Sequence, residues 1–138
     1  MIKSDAQRER TVAQIEGFQQ ALAKAAQHKP DKRSAAIRGS YESMIRQLED
    51  ELGEYDRLKS GEVALPQAER LDQIAPFITR IRIAKGVSQT ELARRLGVSK
   101  QVISRYEESE YQTVAISRLQ AILGAIGIKA EHVGRTQI

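Results

Sequence analysis

Residues 87–107, which read VSQTELARRLGVSKQVISRYE, contain two short helix patterns joined by one glycine. Ser88 and Ser99 each stand just before an apolar-periodic segment, where a serine hydroxyl accepts hydrogen bonds from the free amides of the first helical turn. Glu91, three residues after Ser88, predicts a capping box. Gly97 predicts the left-handed residue that ends the first helix. The stretch therefore predicts two short helices separated by a tight turn.

The side chains of these two helices divide into a buried and an exposed face. Apolar residues at helical spacing predict the buried face, namely Leu92, Ala93, Leu96, Val102, Ile103 and Tyr106. The second helix leaves four polar residues outside, namely Lys100, Gln101, Ser104 and Arg105. Two helices joined in this way, with a polar and basic outer face on the second, form a helix-turn-helix motif.

The chain around this motif resembles the lambda repressor/Cro-type helix-turn-helix domain, also called the XRE family. The resemblance covers about residues 76–128, less than half of the chain. It is carried by residues whose apolar, glycine, capping and acidic types fall in register, namely Arg82, Gly86, Ser88, Gln89, Leu92, Ala93, 96–99 and 103–107. It implies a compact domain of the five-helix type that binds DNA sequence-specifically.

The resemblance also implies which residues read the DNA sequence. Lys100, Gln101 and Arg105 match base-reading positions, and Ser104 lies beside them. Glutamine suits adenine, and arginine or lysine suits guanine, each good pair being worth about 1–3 kcal/mol against the wrong base. A plain phosphate contact is an equally good interpretation of Lys100.

Phosphate contacts are expected where the first motif helix begins, because free amides and the positive dipole end favour an anion there. Gln89 matches the phosphate-clamping glutamine of the family, with surface polarity as the alternative. Glu108 and Glu110 occupy a loop in which the family often has basic or glycine-containing contacts. The predicted phosphate-binding residues are therefore Ser88, Gln89, Thr90, Tyr111 and Arg118. Weakened backbone contacts leave tight binding by a monomer in doubt and imply a shallow salt dependence.

The resemblance gives Arg82 and Glu107 a structural role, because they match an internal salt bridge of some family members. Pro76 is expected to open the first helix of the domain, and Thr113 to cap its last one. The apolar set predicted for that last helix is Val114, Ile116, Leu119, Ile122 and Leu123. Residues 128–133 alternate apolar and polar side chains and predict a possible short strand that needs a partner.

Two longer helix patterns precede the domain, over residues 4–27 and 33–59, with a polar loop at Pro30. The short loop predicts an antiparallel hairpin. Its apolar side chains span more than one seam, so two helices cannot bury all of them. The residues predicted to contact a partner are Phe18, Tyr41, Met44, Ile45, Leu48, Leu52 and Tyr55. A second copy, the DNA-binding domain and a different protein all fit as that partner.

The net charge of +4 is distributed unevenly. Residues 1–64 carry 11 basic and 11 acidic side chains, whereas residues 65–138 carry 11 basic and 7 acidic ones. A basic excess is ordinarily interpreted as a solvated surface. Here the basic excess coincides with a helix-turn-helix, which favours contact with a polyanion. We therefore expect an all-α chain, with a helical hairpin over 1–60, a linker with a short helix over 61–75 and the DNA-binding domain over 76–138.

Several function classes find no support in the sequence. There is no cysteine, and His28 and His132 lack metal-ligand companions at helix spacing, so we expect no metal, cofactor or enzymatic activity. No apolar run approaches the roughly 20 residues of a membrane span, and the absence of cysteine is compatible with a reducing cytoplasm. The resemblance implies a bacterial or phage-type protein, which we expect in the cytoplasm. We expect a dimeric repressor on double-stranded operator or promoter DNA. The alternative is an antitoxin-type protein whose hairpin binds a toxin.

Overall fold

The computed structural model describes residues 1–27, 31–65 and 70–128, and these ranges contain helices and turns but no strand. The helices are α1 (Asp5–Ala25), α2 (Lys32–Lys59), α3 (Leu71–Ile74), α4 (Ile78–Ala84), α5 (Gln89–Leu96), α6 (Lys100–Glu108) and α7 (Ile116–Ala125), with a 3-10 turn at Ala75–Phe77. The all-α prediction is confirmed. The possible strand falls almost wholly on residues 129–133, outside the described residues. The chain divides into two compact units, Met1–Asp56 and Arg57–Ile138.

Helix α1 begins where the sequence predicts, because Ser4 satisfies a free amide of its first turn. The Ser4 hydroxyl accepts a hydrogen bond from the Gln7 amide at 3.2 Å. The Gln7 side-chain oxygen accepts one from the Lys3 amide at 2.7 Å, one residue upstream of the usual capping-box partner. These two hydrogen bonds fix the start of α1.

Helix α2 begins one residue earlier than predicted, because Asp31 caps it. The Ser34 amide donates to Asp31 Oδ1 at 2.6 Å, and the Asp31 amide donates to the Ser34 hydroxyl at 3.0 Å. The hydrogen bonds from Ser34 hold the pKa of Asp31 below its usual range. This reciprocal cap sets the first turn of α2.

The first unit is an antiparallel hairpin with an apolar interior. Ile15, Ile45 and Tyr55 are buried, and the rings of Phe18 and Tyr41 lie with their centroids 5.7 Å apart. Near the start of α1 and the end of α2, the Tyr55 hydroxyl donates a hydrogen bond to Asp5 Oδ1 at 2.5 Å. Arg8 also binds Asp56 there through two bonds of 2.7 and 3.1 Å. These contacts confirm the antiparallel pairing.

The second unit packs around a single apolar cluster drawn from the 3-10 turn and its neighbouring helices. Its buried members are Ile74, Ala75, Ile78, Ile81, Val87, Leu92, Ala93, Ile103, Tyr111, Leu119, Ile122, Leu123 and Ile126. The prediction that Pro76 opens the first helix was wrong, because Pro76 lies within the 3-10 turn that joins α3 to α4. A proline lacks the amide that a longer α-helix needs, and a tighter turn accommodates it.

The last helix begins at Ile116 with Ala115 as its cap, so the prediction that Thr113 caps it was wrong. The cause is the preceding turn, in which Glu110 and Tyr111 both adopt left-handed backbone angles, with φ of 53° and 60°. Two successive left-handed residues lengthen the connection before the chain can enter a helix. Ile116 was expected inside, yet it is 65% exposed at the start of α7.

Candidate nucleic-acid interface

The serine caps and the glycine turn of the helix-turn-helix have the geometry that the sequence predicts. The Ser88 hydroxyl accepts a hydrogen bond from the Glu91 amide at 3.0 Å, and the Ser99 hydroxyl accepts one from the Val102 amide at 3.4 Å. Gly97 ends α5 in the left-handed conformation with φ of 69°. A side chain there would be strained, so this glycine fixes the tight turn that sets α6 against α5.

The Glu91 side chain does not complete a capping box, because it bonds two arginines instead. Glu91 accepts hydrogen bonds from the guanidinium groups of Arg94 and Arg95, at 2.9 and 3.0 Å from their Nε atoms. These bonds, chiefly those from Arg94, lower the pKa of Glu91 to about 2. Arg95 also donates to the Ala125 carbonyl at 2.7 Å, which ties α5 to the end of α7. Arg95 therefore has a structural contact in addition to its ion pair with Glu91.

Helix α6 presents the four predicted base-reading residues together. Ile103 is fully buried on its inner side, and Val102 and Tyr106 are half-buried. On the outer side Lys100, Gln101 and Arg105 are exposed, and Ser104 is half-buried beside them. The structure thus collects them on one face of the first two turns of the helix. Their contact with bases stays a prediction.

A buried ion pair lies behind this face. Arg82 of α4 donates to both carboxylate oxygens of Glu107 at the end of α6, at 3.0 and 2.9 Å, and their side chains are 2% and 0% exposed. Arg82 Nη1 also donates to the Val87 carbonyl at 2.8 Å. The salt bridge expected from the resemblance is therefore present. It fixes the end of α6 to α4 and to the turn before α5.

Gln89 belongs to the same buried cluster, which the sequence did not predict. Its side-chain amide donates to Glu107 Oε1 at 2.6 Å, and only 9% of the residue is exposed. The amide is therefore engaged inside the protein rather than directed at a phosphate. Ser88 and Thr90, on either side of it, are exposed where α5 begins. Their predicted phosphate contacts stay predictions, and the part that Gln89 plays here is to hold α6.

The predicted phosphate contact of Tyr111 does not fit the structure. Tyr111 is 1% exposed, and its ring lies 5.9 Å from that of Tyr106. Its hydroxyl is buried without a hydrogen-bond partner among the residues that the structure describes. Burial, followed by the charge of Glu107, raises the pKa of this phenol. The left-handed turn carries Tyr111 into the core, so its hydroxyl cannot reach a phosphate in this arrangement.

The other charged residues near α6 that the sequence singled out are at the surface. Arg118 is exposed on the first turn of α7, so its predicted phosphate contact is sterically open. Glu108 and Glu110 are exposed as well, in the segment that links α6 to α7. The acidic loop inferred from the sequence is therefore a surface feature.

In the described part of the chain, no helix is long and apolar enough to span a membrane. The same residues contain no group of three or more histidines and carboxylates arranged to hold a metal ion.

Comparison with known proteins found a family match within the second unit. No curated protein and no solved structure matched the chain significantly. The family model described as helix-turn-helix matches residues 78–133, a range that includes α4 to α7. This match covers less than half of the chain, and it supports a role as a DNA-binding regulator of the Cro/C1 (XRE) type.

Proposed function

We propose that the protein is a sequence-specific transcriptional regulator that reads the major groove of operator DNA with α6. The observation that carries this proposal is the outer face of α6, where Lys100, Gln101 and Arg105 are exposed while Ile103 anchors the helix. Recognition helices of this class contact base edges through their N-terminal residues. Glutamine, lysine and arginine at those positions supply the donors and acceptors that distinguish base pairs.

Phosphate contacts orient the helix on the duplex. The amides at the start of α5, with the hydroxyls of Ser88 and Thr90, form one contact in this proposal, and Arg118 forms a second. Glu108 and Glu110 lie exposed nearby and repel the backbone. A single domain with few phosphate contacts gives limited affinity and a shallow dependence on salt.

The limited affinity of one domain supports a dimer on a pseudo-palindromic site, acting as a repressor that blocks polymerase. Such a regulator acts on the bacterial nucleoid in the cytoplasm. An antitoxin is the second candidate function. It is favoured by Ile37 and Met44, which remain 44% and 42% exposed on the hairpin and offer a surface to a non-identical chain.

The test measures binding to the DNA upstream of the protein's own gene and to random DNA of equal length. Arg105→Ala and Gln101→Ala should each reduce the preference for the specific site by about tenfold or more. Arg94→Ala is the matched control for Arg105→Ala, because it removes the same charge from an exposed arginine of α5 that is paired with Glu91. It should leave the preference unchanged. A parent protein that binds both DNAs equally well would refute the proposal.

A further inference from the structure

One flank of α2 carries a stripe of residues outside the hairpin interior. Its members are spaced alternately by four and three positions, namely Arg33, Ile37, Ser40, Met44, Gln47 and Glu51. This is the spacing of a helix–helix seam. Ile37 and Met44 are 44% and 42% exposed, whereas the interior residues Ile45 and Tyr55 are buried. The stripe is therefore a second packing surface that is exposed from Arg33 to Gln47, with Glu51 half-buried at its end beside Met1.

The charges of the hairpin are separated along its length. Residues 32–46 of α2 contain four basic side chains and one acidic one, whereas residues 47–56 contain five acidic and no basic ones. Helix α1 does not cancel this difference. The half of the hairpin made of residues 1–16 and 47–56 has 3 basic and 8 acidic side chains, and the half made of residues 17–27 and 31–46 has 5 basic and 2 acidic ones.

We propose that a second copy of the chain packs antiparallel on this stripe of α2. Antiparallel packing places the basic half of each hairpin against the acidic half of the other, whereas parallel packing places like charges together. The seam is self-complementary about residue 42. Arg33 of one copy then faces Glu51 of the other, and Met44 of one copy faces the small side chain of Ser40 of the other. Each contact occurs twice, as a two-fold interface requires.

The terminal pair of this seam, Arg33 with Glu51, provides a diagnostic contact. The two residues are 18 positions apart on one helix, or about 27 Å at 1.5 Å per residue, so they cannot pair within one chain. Arg33 is exposed, and the Glu51 side chain is 31% exposed with the α-amino group of Met1 3.8 Å away. Glu51 therefore remains accessible to a guanidinium from another molecule.

The seam contains only two large exposed apolar side chains, so the dimer is expected to be weak, with a dissociation constant on the order of micromolar. Because its orientation is set by charge, salt should weaken it, since surface charges are screened beyond about 8 Å at physiological ionic strength. The inference deepens the proposed function, in which two copies act on one operator, by naming the surface that joins them.

The test is sedimentation velocity of the full chain without DNA, over a concentration series and at low and high salt. The parent should form a dimer that salt weakens. Arg33→Glu and Glu51→Arg should each raise the dissociation constant about tenfold, because each places two like-charged pairs across the seam. The double variant should restore the parent value. Arg46→Glu is the matched control, since it makes the same charge change on the side of α2 opposite Met44 and should have a smaller effect.

Circular dichroism confirms that each variant keeps its helix content before it is compared. A double variant whose dissociation constant returns to the parent value supports the antiparallel seam. Neither a contact within one chain nor a parallel dimer would produce this rescue. Two weakened single variants without rescue would overturn the pairing. A parent that stays monomeric at all concentrations would overturn the proposal and leave the stripe to a different chain. Since no DNA is present, failure of sequence-specific binding would leave these results unaffected.

Discussion

The buried pair of Arg82 and Glu107 should be among the most sensitive sites of the second unit. Removing one partner leaves a charge that is 98% or more withdrawn from water. Breaking a buried pair in this way costs about 3–5 kcal/mol. Arg82→Met should reach this range, because among the described residues it leaves the buried Glu107 carboxylate with the hydrogen bond from Gln89 alone. Glu107→Gln should fall near its lower end, because it keeps an oxygen for Arg82.

Urea unfolding followed by circular dichroism measures these losses, and hydrogen exchange of the α4–α7 amides assigns them to the second unit. For a unit of this size, a loss of 3 kcal/mol lowers the melting temperature by at least about 12 °C. The double variant Arg82→Met with Glu107→Leu should lose less than the sum of Arg82→Met and Glu107→Leu, because an apolar pair leaves no stranded charge.

Two results would refute this reasoning. Single variants that each lose less than about 1 kcal/mol would show that the pair is solvated or dispensable. A double variant that loses the full sum would show that the two side chains are not coupled. The exposed pair of Arg94 and Glu91 is the comparison within the same domain. Arg94→Met should shift the urea midpoint much less than Arg82→Met, because water screens the charge it leaves behind.

Three further variants test the turn after α6 and the surface of α5. Tyr111→Phe should stabilise the protein by about 1 kcal/mol in urea unfolding, since the buried hydroxyl has no hydrogen-bond partner among the described residues. Because the pKa of the Tyr111 phenol is raised in the folded protein, the parent should lose stability above about pH 10, whereas the variant should not. A loss in the variant at pH 7 would show that the hydroxyl is hydrogen-bonded. Glu110→Gly should raise the melting temperature slightly. The left-handed backbone of Glu110 costs about 1–2 kcal/mol, which glycine relieves, whereas the extra freedom of glycine in the unfolded chain costs about 0.5–1 kcal/mol. A lower melting temperature would contradict this. With the pKa of Glu91 lowered to about 2, the stability difference between the parent and Glu91→Gln should be constant above about pH 5 and shrink as the pH falls toward 2. A difference that does not change over that range would exclude the contacts with Arg94 and Arg95.

Local features of the fold could be predicted because their causes lie within a few residues. The caps at Ser88 and Ser99 and the turn at Gly97 depend on neighbouring amides and on one backbone angle. The outer face of α6 could be predicted for the same reason, since helical periodicity alone sets which side chains oppose Ile103.

The predictions that failed depend on contacts between distant residues. The Gln89 side chain bonds Glu107, 18 positions away, and nothing in the local sequence distinguishes this from a glutamine that faces solvent. Tyr111 is buried because two left-handed residues redirect the chain, and left-handed angles are rare enough outside glycine that a sequence gives little sign of them. The same turn moved the N-cap of the last helix from the predicted Thr113 to Ala115.

Most residues of the predicted hairpin interface are already used within the hairpin. Phe18 packs on Tyr41, and Tyr55 is buried with its hydroxyl on Asp5. Ile45 is also buried, and Leu48 and Leu52 are half-buried, so Met44 is the exposed member of the predicted set. The apolar pattern identified the helices correctly. It could not separate the seam between α1 and α2 from the flank that faces outward, because both repeat at nearly the same period.

The position of the buried cluster has a consequence for how the domain can change. The cluster of Arg82, Gln89 and Glu107 fixes the buried side of α6. On the exposed side, no hydrogen bond or ion pair joins the side chains of Lys100, Gln101 and Arg105 to the described part of the chain. The residues that maintain the scaffold are thus separate from those that would read DNA. Substitutions on the outer face can accumulate at little cost in folding, so under the proposed function a change in DNA preference needs mutation of only three or four codons while the domain beneath stays the same.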